Sequence, residues 1–309
     1  MEIAFIVEAF DDEAMVKHSP WYFHARELAR SFDISIKLFY GWKDAWRPFD
    51  AMILMAWLDW ANPGKFNAPR IMQNLEKYSE YRATFPDTIQ IALNHIDYTD
   101  KPYALPYWRA GDPILCRTPP YDRTLLAPFP AASIFPYELV WGTASFPSRP
   151  IKYAAGFIGY PSGPKGYRER VALETAKVGL GCCITERVSY EEYCQLTSEC
   201  RILVCPQGWG SGSLRHWDAW RSGKPVLTDQ RSHSLELIPG MQLKAGVHYL
   251  VYKDPAEIPD IVSDWTQPAR RAELESVAER GREAAASYDA CDQMRIFFNR
   301  LRTQPKASG

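Results

Sequence analysis

The sequence has neither the pattern of a signal peptide at its opening nor an apolar run long enough to cross a membrane, so we expect neither feature. Its opening, MEIAFIVEAFDDE, has no basic start, no long apolar stretch and no small-residue cleavage site, so it does not fit a signal peptide. A membrane-spanning helix needs about 20 consecutive apolar residues, and no stretch of the chain approaches that length. We therefore expect no membrane span.

Paired cysteines with the spacing of a zinc site are also missing. The seven cysteines are an odd number, they form no CxxC motif, and the adjacent Cys182 and Cys183 are poorly spaced for zinc. Unpaired thiols of this kind are typical of a reducing compartment. We expect free, buried cysteines and a cytoplasmic location.

An excess of charge of one sign is absent as well. The chain has 36 Lys and Arg against 37 Asp and Glu, and its first 150 residues carry 15 basic against 18 acidic side chains. Because affinity for DNA depends mostly on neutralising phosphates, this balance disfavours DNA as a partner. DNA would be favoured as a partner only if the basic residues were concentrated in a local groove.

Glycine is absent from the segment that follows the first apolar run, VEAFDDEAMVKHSP. Oxidoreductases that bind dinucleotides need a GxGxxG turn at that point, followed by an acidic residue about 20 positions further on. The segment therefore argues against a dinucleotide-dependent oxidoreductase.

What the sequence does have is a regular alternation of strand-length apolar runs and helical patterns. Hydrophobic residues make up 46% of the chain, enough for a large core, and the alternation is typical of parallel sheets with right-handed crossovers. A proline-rich stretch over residues 103–150 separates two such series, and we predict in it one short strand at Ile114–Leu115 followed by an extended connection. We therefore predict an α/β protein of two Rossmann-like parallel-sheet domains that face a cleft. Their limits are residues 1–148 and 149–309, and the last helix packs back on the first domain.

The most informative stretch is CPQGWGSGSLRHWDAWRSGKPVLTD, which runs from Cys205 to Asp229. A buried strand, RILVCP, leads into a loop of glycine and serine, and the loop leads into a helix. In an open parallel sheet, ligands bind at such strand ends, where glycine lets backbone N–H groups and the positive end of the helix approach phosphate oxygens. The loop residues concerned are Gly210, Ser211, Gly212 and Ser213.

Two charged residues follow on one face of this helix. Arg215 lies in the first turn, where its planar guanidinium can hold a diphosphate through two hydrogen bonds. Asp218 lies one turn further on, where a carboxylate can accept from both hydroxyls of a ribose. Loop, cation and acid together describe a site for a nucleoside diphosphate. The alternative is a tight turn in which Ser213 is only a helix cap and the charged residues form a surface pair.

The same stretch resembles a known family. LRHWDAWRSGKPVLTD is similar to the nucleotide-binding segment of GT-B glycosyltransferases, in which an arginine and an acid precede a small residue and GxPV. Its LRxW-acid run is also similar to phage DNA β-glucosyltransferases. KYAAGFIGYPSGPKGYRER resembles the first strand and loop of the C-terminal domain in this family, and GVHYLVYKDPAEIPDIV resembles the segment after the nucleotide site. The resemblance covers most of residues 151–302 and implies a glycosyltransferase with a nucleotide-sugar donor, UDP-sugar being favoured.

The resemblance also implies roles for individual residues. Arg215 would contact the diphosphate and Asp218 the ribose, and the loop at Gly159 and Tyr160 would close over the nucleotide. The chain departs from the family pattern at two positions. Asp218 stands where the family usually has a longer glutamate, which shortens its reach, and Gly210 stands where many retaining members carry another glutamate.

A second cation is expected near the phosphates. Lys165, Arg168 and Arg170 follow the Gly159 loop, and we select Arg168. The alternative is that all three only solvate the start of a helix. GT-B enzymes generally need no metal, because cations and the helix dipole neutralise the leaving group. The resemblance therefore implies metal independence and no cofactor besides the donor.

An inverting transferase of this kind needs a base that takes the proton of the acceptor hydroxyl. The resemblance implies that the base comes from a strand end of the N-terminal domain. Asp97 is our first choice, since DNA β-glucosyltransferases carry a comparable acid there, and His18 is the second. Further titratable residues at such ends are Asp11, Asp12, Glu13, Asp59, His95 and Asp100. Each of these residues can equally be a cap or a turn former.

The sequence leaves the acceptor open. A saccharide, a lipid-linked glycan or a small molecule is favoured, and DNA with hydroxymethylated bases is less favoured because of the charge balance. The competing class is a protein that binds a nucleotide or a sugar without turnover. Such a protein would keep Arg215 and Asp218 but lack a titratable base beside the ligand.

Overall fold

The chain separates into two compact units in the computed structural model. One unit comprises Met1–Leu139 together with Asp289–Gly309, and the other comprises Val140–Tyr288. The residues that the structure describes are 1–7, 26, 29–55, 68–94, 114–116, 134–136, 146–161, 166–186, 188–207, 214–230, 243–287 and 290–303. The domain limits and binding roles inferred from the sequence remain predictions.

The first unit contains a six-stranded parallel sheet. Its strands are β1 (Glu2–Val7), β2 (Ser35–Tyr40), β3 (Ala51–Met55), β4 (Ile89–Asn94), β5 (Ile114–Cys116) and β6 (Ile134–Pro136). They are ordered β2-β1-β3-β4-β5-β6 across the sheet. The side chains from Ile3 to Ile6 in β1 are at most 1% exposed, as expected of a continuous apolar run covered on both faces.

Helix α1 (Ala68–Thr84) connects β3 to β4 and covers part of this sheet. Its Tyr78 and Tyr81 are buried and pack around Trp42, with ring centres 6.5 Å and 6.1 Å from the indole. The Tyr81 hydroxyl also donates to the carbonyl of Arg47 at 2.7 Å. Aromatic burial therefore anchors the helix to the segment after β2.

The proline-rich stretch contains a strand that we did not predict. The expected strand at Ile114–Leu115 is present within β5, but the expectation of an extended connection after it was wrong, because β6 pairs with β5 in parallel. Three residues are too few to show a hydrophobic period. A proline in a strand is tolerated at the edge of a sheet, and β6, which ends in Pro136, is the edge strand.

The last helix, α7 (Ala290–Thr303), belongs to the first unit. Its Phe298 is buried, and the ring lies 6.2 Å from that of Phe32. Phe32 follows positions 26, 29 and 30, which the structure describes as helical. Contacts at the two ends of the chain thus contribute to one core.

The second unit contains a five-stranded parallel sheet. Its strands are β7 (Tyr153–Ile158), β8 (Gly181–Ile184), β9 (Cys200–Val204), β10 (Val226–Asp229) and β11 (Leu250–Tyr252). Its helices are α2 (Tyr167–Lys177), α3 (Tyr190–Glu199), α4 (Leu214–Arg221), α5 (Ile258–Trp265) and α6 (Arg271–Ser287). The strand order is β11-β10-β9-β7-β8. The predicted class, α/β with two parallel sheets, is confirmed.

Local sequence explains where helices of the second unit begin and end. The Ser189 hydroxyl accepts from the backbone N of Glu192 at 3.1 Å and caps α3. Gly223 has a φ of +69°, the left-handed conformation that ends a helix, and it terminates α4. No helix in the described ranges is long and apolar enough to span a membrane.

The cysteines of the second unit behave as small core residues. Cys182, Cys194, Cys200 and Cys205 are buried, Cys183 is partly buried, and all five are free thiols. Cys200 donates from Sγ to the carbonyl of Leu196 at 3.2 Å, and Gly156 in β7 leaves the space that its sulfur occupies. For these five residues the expectation of free thiols is confirmed.

Gly281 is the point at which α6 packs against α4. A Cβ there would overlap the indole of Trp220, which is fully buried and donates from Nε1 to the carbonyl of His248 at 3.1 Å. In an exposed helix, alanine stabilises by about 1 kcal/mol relative to glycine, but overpacking should reverse that sign here. We predict that Gly281→Ala lowers the free energy of unfolding, measured in urea, by about 1–3 kcal/mol.

Gly179→Ala is the matched control for this substitution. No described atom lies within 4 Å of where a Cβ would stand at Gly179, so the change should be nearly neutral. Equal losses of stability in the two variants would contradict the packing explanation.

Candidate functional site

The strands of the second unit change their direction of progression between β7 and β9. From β7 the chain moves outward to β8, returns to β9 on the other side of β7, and continues to β10 and β11. Open α/β sheets bind ligands at such a reversal, because the loops after the two neighbouring strands diverge and leave a crevice at the carboxyl edge. The predicted site residues that follow β7 and β9 therefore share one edge of the sheet.

Arg215 reaches from the first turn of α4 to the end of β7. Its Nε donates to the carbonyl of Ile158 at 2.9 Å, and its Cζ lies 5.9 Å from the centre of the Phe157 ring. The residue is partly exposed, and none of the described residues accepts a hydrogen bond from its two Nη groups. Among the described residues, the guanidinium is thus held through Nε alone, and its Nη groups lie beside Gly159 at the carboxyl edge of the sheet.

Gly159 makes room for this guanidinium. It follows β7 directly and has a φ of +150°, which residues with a side chain rarely adopt. A Cβ at this position would overlap Nη2 and Cζ of Arg215. Gly159 is therefore required for the position of the arginine, whereas its predicted closure over a nucleotide remains a prediction.

Asp218 lies one turn after Arg215 and is held from the neighbouring helix. The Tyr193 hydroxyl in α3 donates to Oδ2 of Asp218 at 3.1 Å. Burial raises the pKa of the Asp218 carboxyl, and the Tyr193 hydroxyl and the charge of Arg221 oppose that rise. A partly buried carboxyl with a perturbed pKa at a strand edge is typical of a functional site.

The structure distinguishes the three candidates for a second cation. Arg168 is only 7% exposed, and its Nη1 donates to the carbonyl of Tyr160 at 3.4 Å. Arg170 is exposed and pairs with Asp254 at 3.1 Å, an arrangement typical of a surface ion pair. Lys165 lies outside the described residues. Arg168 is thus the one of the two described candidates that lies against the loop after β7, and its contact with a phosphate stays a prediction.

The sequence analysis did not predict two sets of hydrogen bonds at this edge of the sheet. Oδ2 of Asp229, at the end of β10, accepts from the backbone N of Gln207 at 2.6 Å, just before the glycine-rich loop. Thr228 donates from Oγ1 to the carbonyl of Cys205 at 2.9 Å, and Nε2 of His216 lies 2.9 Å from the same Oγ1. Because the Thr228 hydrogen is used on Cys205, we assign His216 Nε2 as the donor of the second bond. The sequence feature that could have indicated these bonds is the pair of polar residues at the end of the otherwise apolar strand VLTD.

Several predicted site residues lie outside the described part of the chain. They are the loop residues Gly210, Ser211, Gly212 and Ser213, the first two choices of base, Asp97 and His18, and the other base candidates Asp11, Asp12, Glu13, Asp59, His95 and Asp100. Their roles stay predictions. Among the described residues, no group of three or more His, Cys, Asp and Glu side chains could hold a metal ion, and metal independence also stays a prediction.

Residues 143–295 match the model of a family described as glycosyl transferase-like. The fold is similar to HepE of Anabaena in complex with UDP, with 9% identity, a TM-score of 0.61, and coverage of 98% of this chain and 100% of that chain. A glycosyltransferase from Rickettsia africae gives 10% identity, a TM-score of 0.59, and coverage of 98% and 99%. The BGT of phage T4 in complex with UDP and Mn²⁺ gives 11% identity, a TM-score of 0.52, and coverage of 97% and 99%. No curated protein sequence matches the chain.

The fold defined by these similarities is GT-B, as the sequence predicted. The part of the chain that matches this family, residues 143–295, contains Gly159, Arg168, Arg215 and Asp218.

The buried carboxylate of Asp218 opposes folding at neutral pH. Because its pKa is raised in the folded state, the stability it contributes is fully present below the ordinary value of 3.8 and is lost as the pH rises through the folded value. We predict that Asp218→Asn raises the free energy of unfolding of the nucleotide-free protein at pH 7, by about 0.5–2 kcal/mol. Thermal melts should show that the gain shrinks as the pH falls toward about 4.

Asp44→Asn is the control for this substitution, since Asp44 is exposed and lies in the other unit. This variant should have nearly the same melting temperature as the wild type at pH 7 and at about pH 4. A gain that appears in both variants, or that does not depend on pH, would contradict the burial argument.

Proposed function

We propose that the protein is a glycosyltransferase, which takes its sugar from a UDP-sugar and transfers it to a hydroxyl of a saccharide, a lipid-linked glycan or a small molecule. The observation that carries the proposal is the position of Arg215, whose guanidinium lies against Gly159 at the reversal of the sheet. UDP is favoured because HepE has been solved with UDP-glucose, with UDP and glucose, and with UDP.

Arg215 is proposed to hold the diphosphate. Its Nε is satisfied by the carbonyl of Ile158, so the Nη groups form a fork that matches two phosphate oxygens. The N-terminus of α4 adds a positive dipole at the same edge. The buried cation of Arg168 is proposed as the second positive group, and the loop at Gly210, Ser211, Gly212 and Ser213 as the source of backbone donors.

The same cations explain how the leaving group can depart without a metal. In the transfer step, the bond between the anomeric carbon and a diphosphate oxygen breaks, and negative charge develops on that oxygen. Fixed guanidinium groups stabilise such charge without reorganising. We propose that Arg215 and Arg168 stabilise the charge on the leaving diphosphate and that the enzyme needs no metal ion.

The proposed base is Asp97, with His18 as the second choice. The base takes the proton of the acceptor hydroxyl as its oxygen forms the new bond to the anomeric carbon. The acidic balance of the first 150 residues supports an acceptor other than DNA. The free thiols of the second unit support a reducing compartment, the cytoplasm.

The donor site is tested by two substitutions that remove the same interaction in different ways. Arg215→Ala deletes the guanidinium, and Gly159→Ala displaces it by occupying its space. We predict that each variant weakens binding of UDP, measured by calorimetry, by about 1.5–3 kcal/mol, the size of a lost hydrogen bond to a charged group.

Gly246→Ala is the matched control for Gly159→Ala. Gly246 also has a positive φ, of +73°, but no described atom lies within 4 Å of where a Cβ would stand. Gly246→Ala should therefore introduce backbone strain, as Gly159→Ala does, but leave the affinity for UDP unchanged. Unchanged affinity in Arg215→Ala would refute the assignment of this arginine to the diphosphate.

The activity itself is tested by a donor panel. Release of nucleoside diphosphate should be measured with UDP-, GDP- and ADP-sugars in the presence of candidate acceptors, with and without a chelator. We predict turnover of a UDP-sugar that survives the chelator. Asp97→Asn should lower the turnover by about 100-fold or more, the scale of general base catalysis, and should leave UDP affinity unchanged.

Normal turnover in Asp97→Asn would refute Asp97 as the base, and the same measurement on His18→Gln then tests the second choice. Failure of all three nucleoside diphosphates to bind the wild-type protein would refute the donor site as a whole.

A further inference from the structure

The hydroxyl of Tyr193 is fixed before any ligand binds. Tyr193 lies in the first turn of α3, where its backbone N donates to the carbonyl of Ser189, the helix cap, at 2.9 Å. Its ring packs against the buried cluster that contains Trp217 and Cys205, and it stacks on Tyr190 at 6.1 Å between ring centres. A ring held on these sides has little rotational freedom left for its hydroxyl.

This fixed hydroxyl determines how the carboxylate of Asp218 is oriented. It donates to Oδ2 at 3.1 Å, and none of the described residues donates to Oδ1. A carboxylate has about four acceptor sites, so one donor leaves enough for both hydroxyls of a ribose. The Tyr193 bond therefore directs one oxygen toward the helix and leaves the other for a ligand.

The same bond lowers the pKa of the carboxyl, whereas burial raises it. Burial raises the pKa of Asp218, and the Tyr193 hydroxyl is the first of the groups that lower it, ahead of Arg221. An ionised carboxylate accepts stronger hydrogen bonds from hydroxyls than a neutral carboxyl does. Removal of the Tyr193 hydroxyl should thus leave the carboxylate of Asp218 less well oriented and raise its pKa further.

We infer that Tyr193 is a positioning residue of the donor site, and that the pair of Tyr193 and Asp218 gives the enzyme its preference for a ribonucleotide over a nucleotide without the 2′ and 3′ hydroxyls. This inference rests on the proposed function, since it takes Asp218 as the acceptor of the donor's ribose. It adds a residue from α3, 25 positions away in the chain, to a site otherwise built from the ends of β7 and β9 and from α4.

The test compares the affinities of UDP and 2′,3′-dideoxy-UDP for four proteins: the wild type, Tyr193→Phe, Asp218→Asn and the double variant. We expect Tyr193→Phe to lower the affinity for UDP by about tenfold, which is the lower end of the effect of losing a hydrogen bond to a charged group. The affinity for dideoxy-UDP should change by less than about twofold. In the Asp218→Asn background, Tyr193→Phe should cause no further loss, because the two residues act as one unit.

Tyr252→Phe is the matched control, since it also removes a hydroxyl from a buried tyrosine of the second unit. The Tyr252 hydroxyl accepts from Tyr167 at 3.3 Å. This variant should bind both nucleotides as the wild type does, and thermal melts should show that all of the variants fold.

Equal losses of UDP and dideoxy-UDP affinity in Tyr193→Phe would make the residue merely structural and overturn the inference. Unchanged UDP affinity in that variant would overturn it as well, and in both cases the proposed function would stand. If the wild type bound no nucleoside diphosphate, the proposed function would fall, and the inference with it.

Discussion

The site depends on one close approach, that of the Arg215 guanidinium to the bare backbone at the end of β7. The hydrogen bond from its Nε to the carbonyl of Ile158 holds the cation at the end of β7, and the absence of a side chain at Gly159 leaves room for it there. A cation held in advance need not be ordered when an anion binds, which lowers the entropic cost of binding. Thr228 donates to the carbonyl of Cys205 and Asp229 accepts from the backbone N of Gln207, and these two bonds fix the residues that follow β9 at the same edge.

Asp218 shows the cost of such a site. A partly buried carboxylate with a raised pKa is less favourable for the folded state than an exposed one, and the Tyr193 hydroxyl offsets only part of that cost. Natural proteins commonly retain this kind of local instability where a ligand will later supply the missing partners. The cost thus fits a residue kept for binding rather than for folding.

The fold was predictable where the sequence signal is local and long enough. Buried strands such as β1 and β7 appear as apolar runs, and Gly223 marks the end of α4 because glycine alone adopts a left-handed backbone easily. The short strand β6 was missed, since three residues that end in a proline carry no period. Arg215 and Asp218 could be recognised for the same local reason, because they are three positions apart on a single helix.

The sequence by itself determined the two parallel-sheet series, the free cysteines of the second unit, and the spacing of cation and acid at the start of α4. Only the tertiary structure decided that Arg168 rather than Arg170 lies against the loop after β7, that Gly159 meets Arg215, and that Tyr193 bonds to Asp218. The physical reason is the distance along the chain. At least one strand lies between Gly159 and Arg215 and between Tyr193 and Asp218, so the order of strands in the sheet determines these contacts, and a pattern of neighbouring residues does not contain that information.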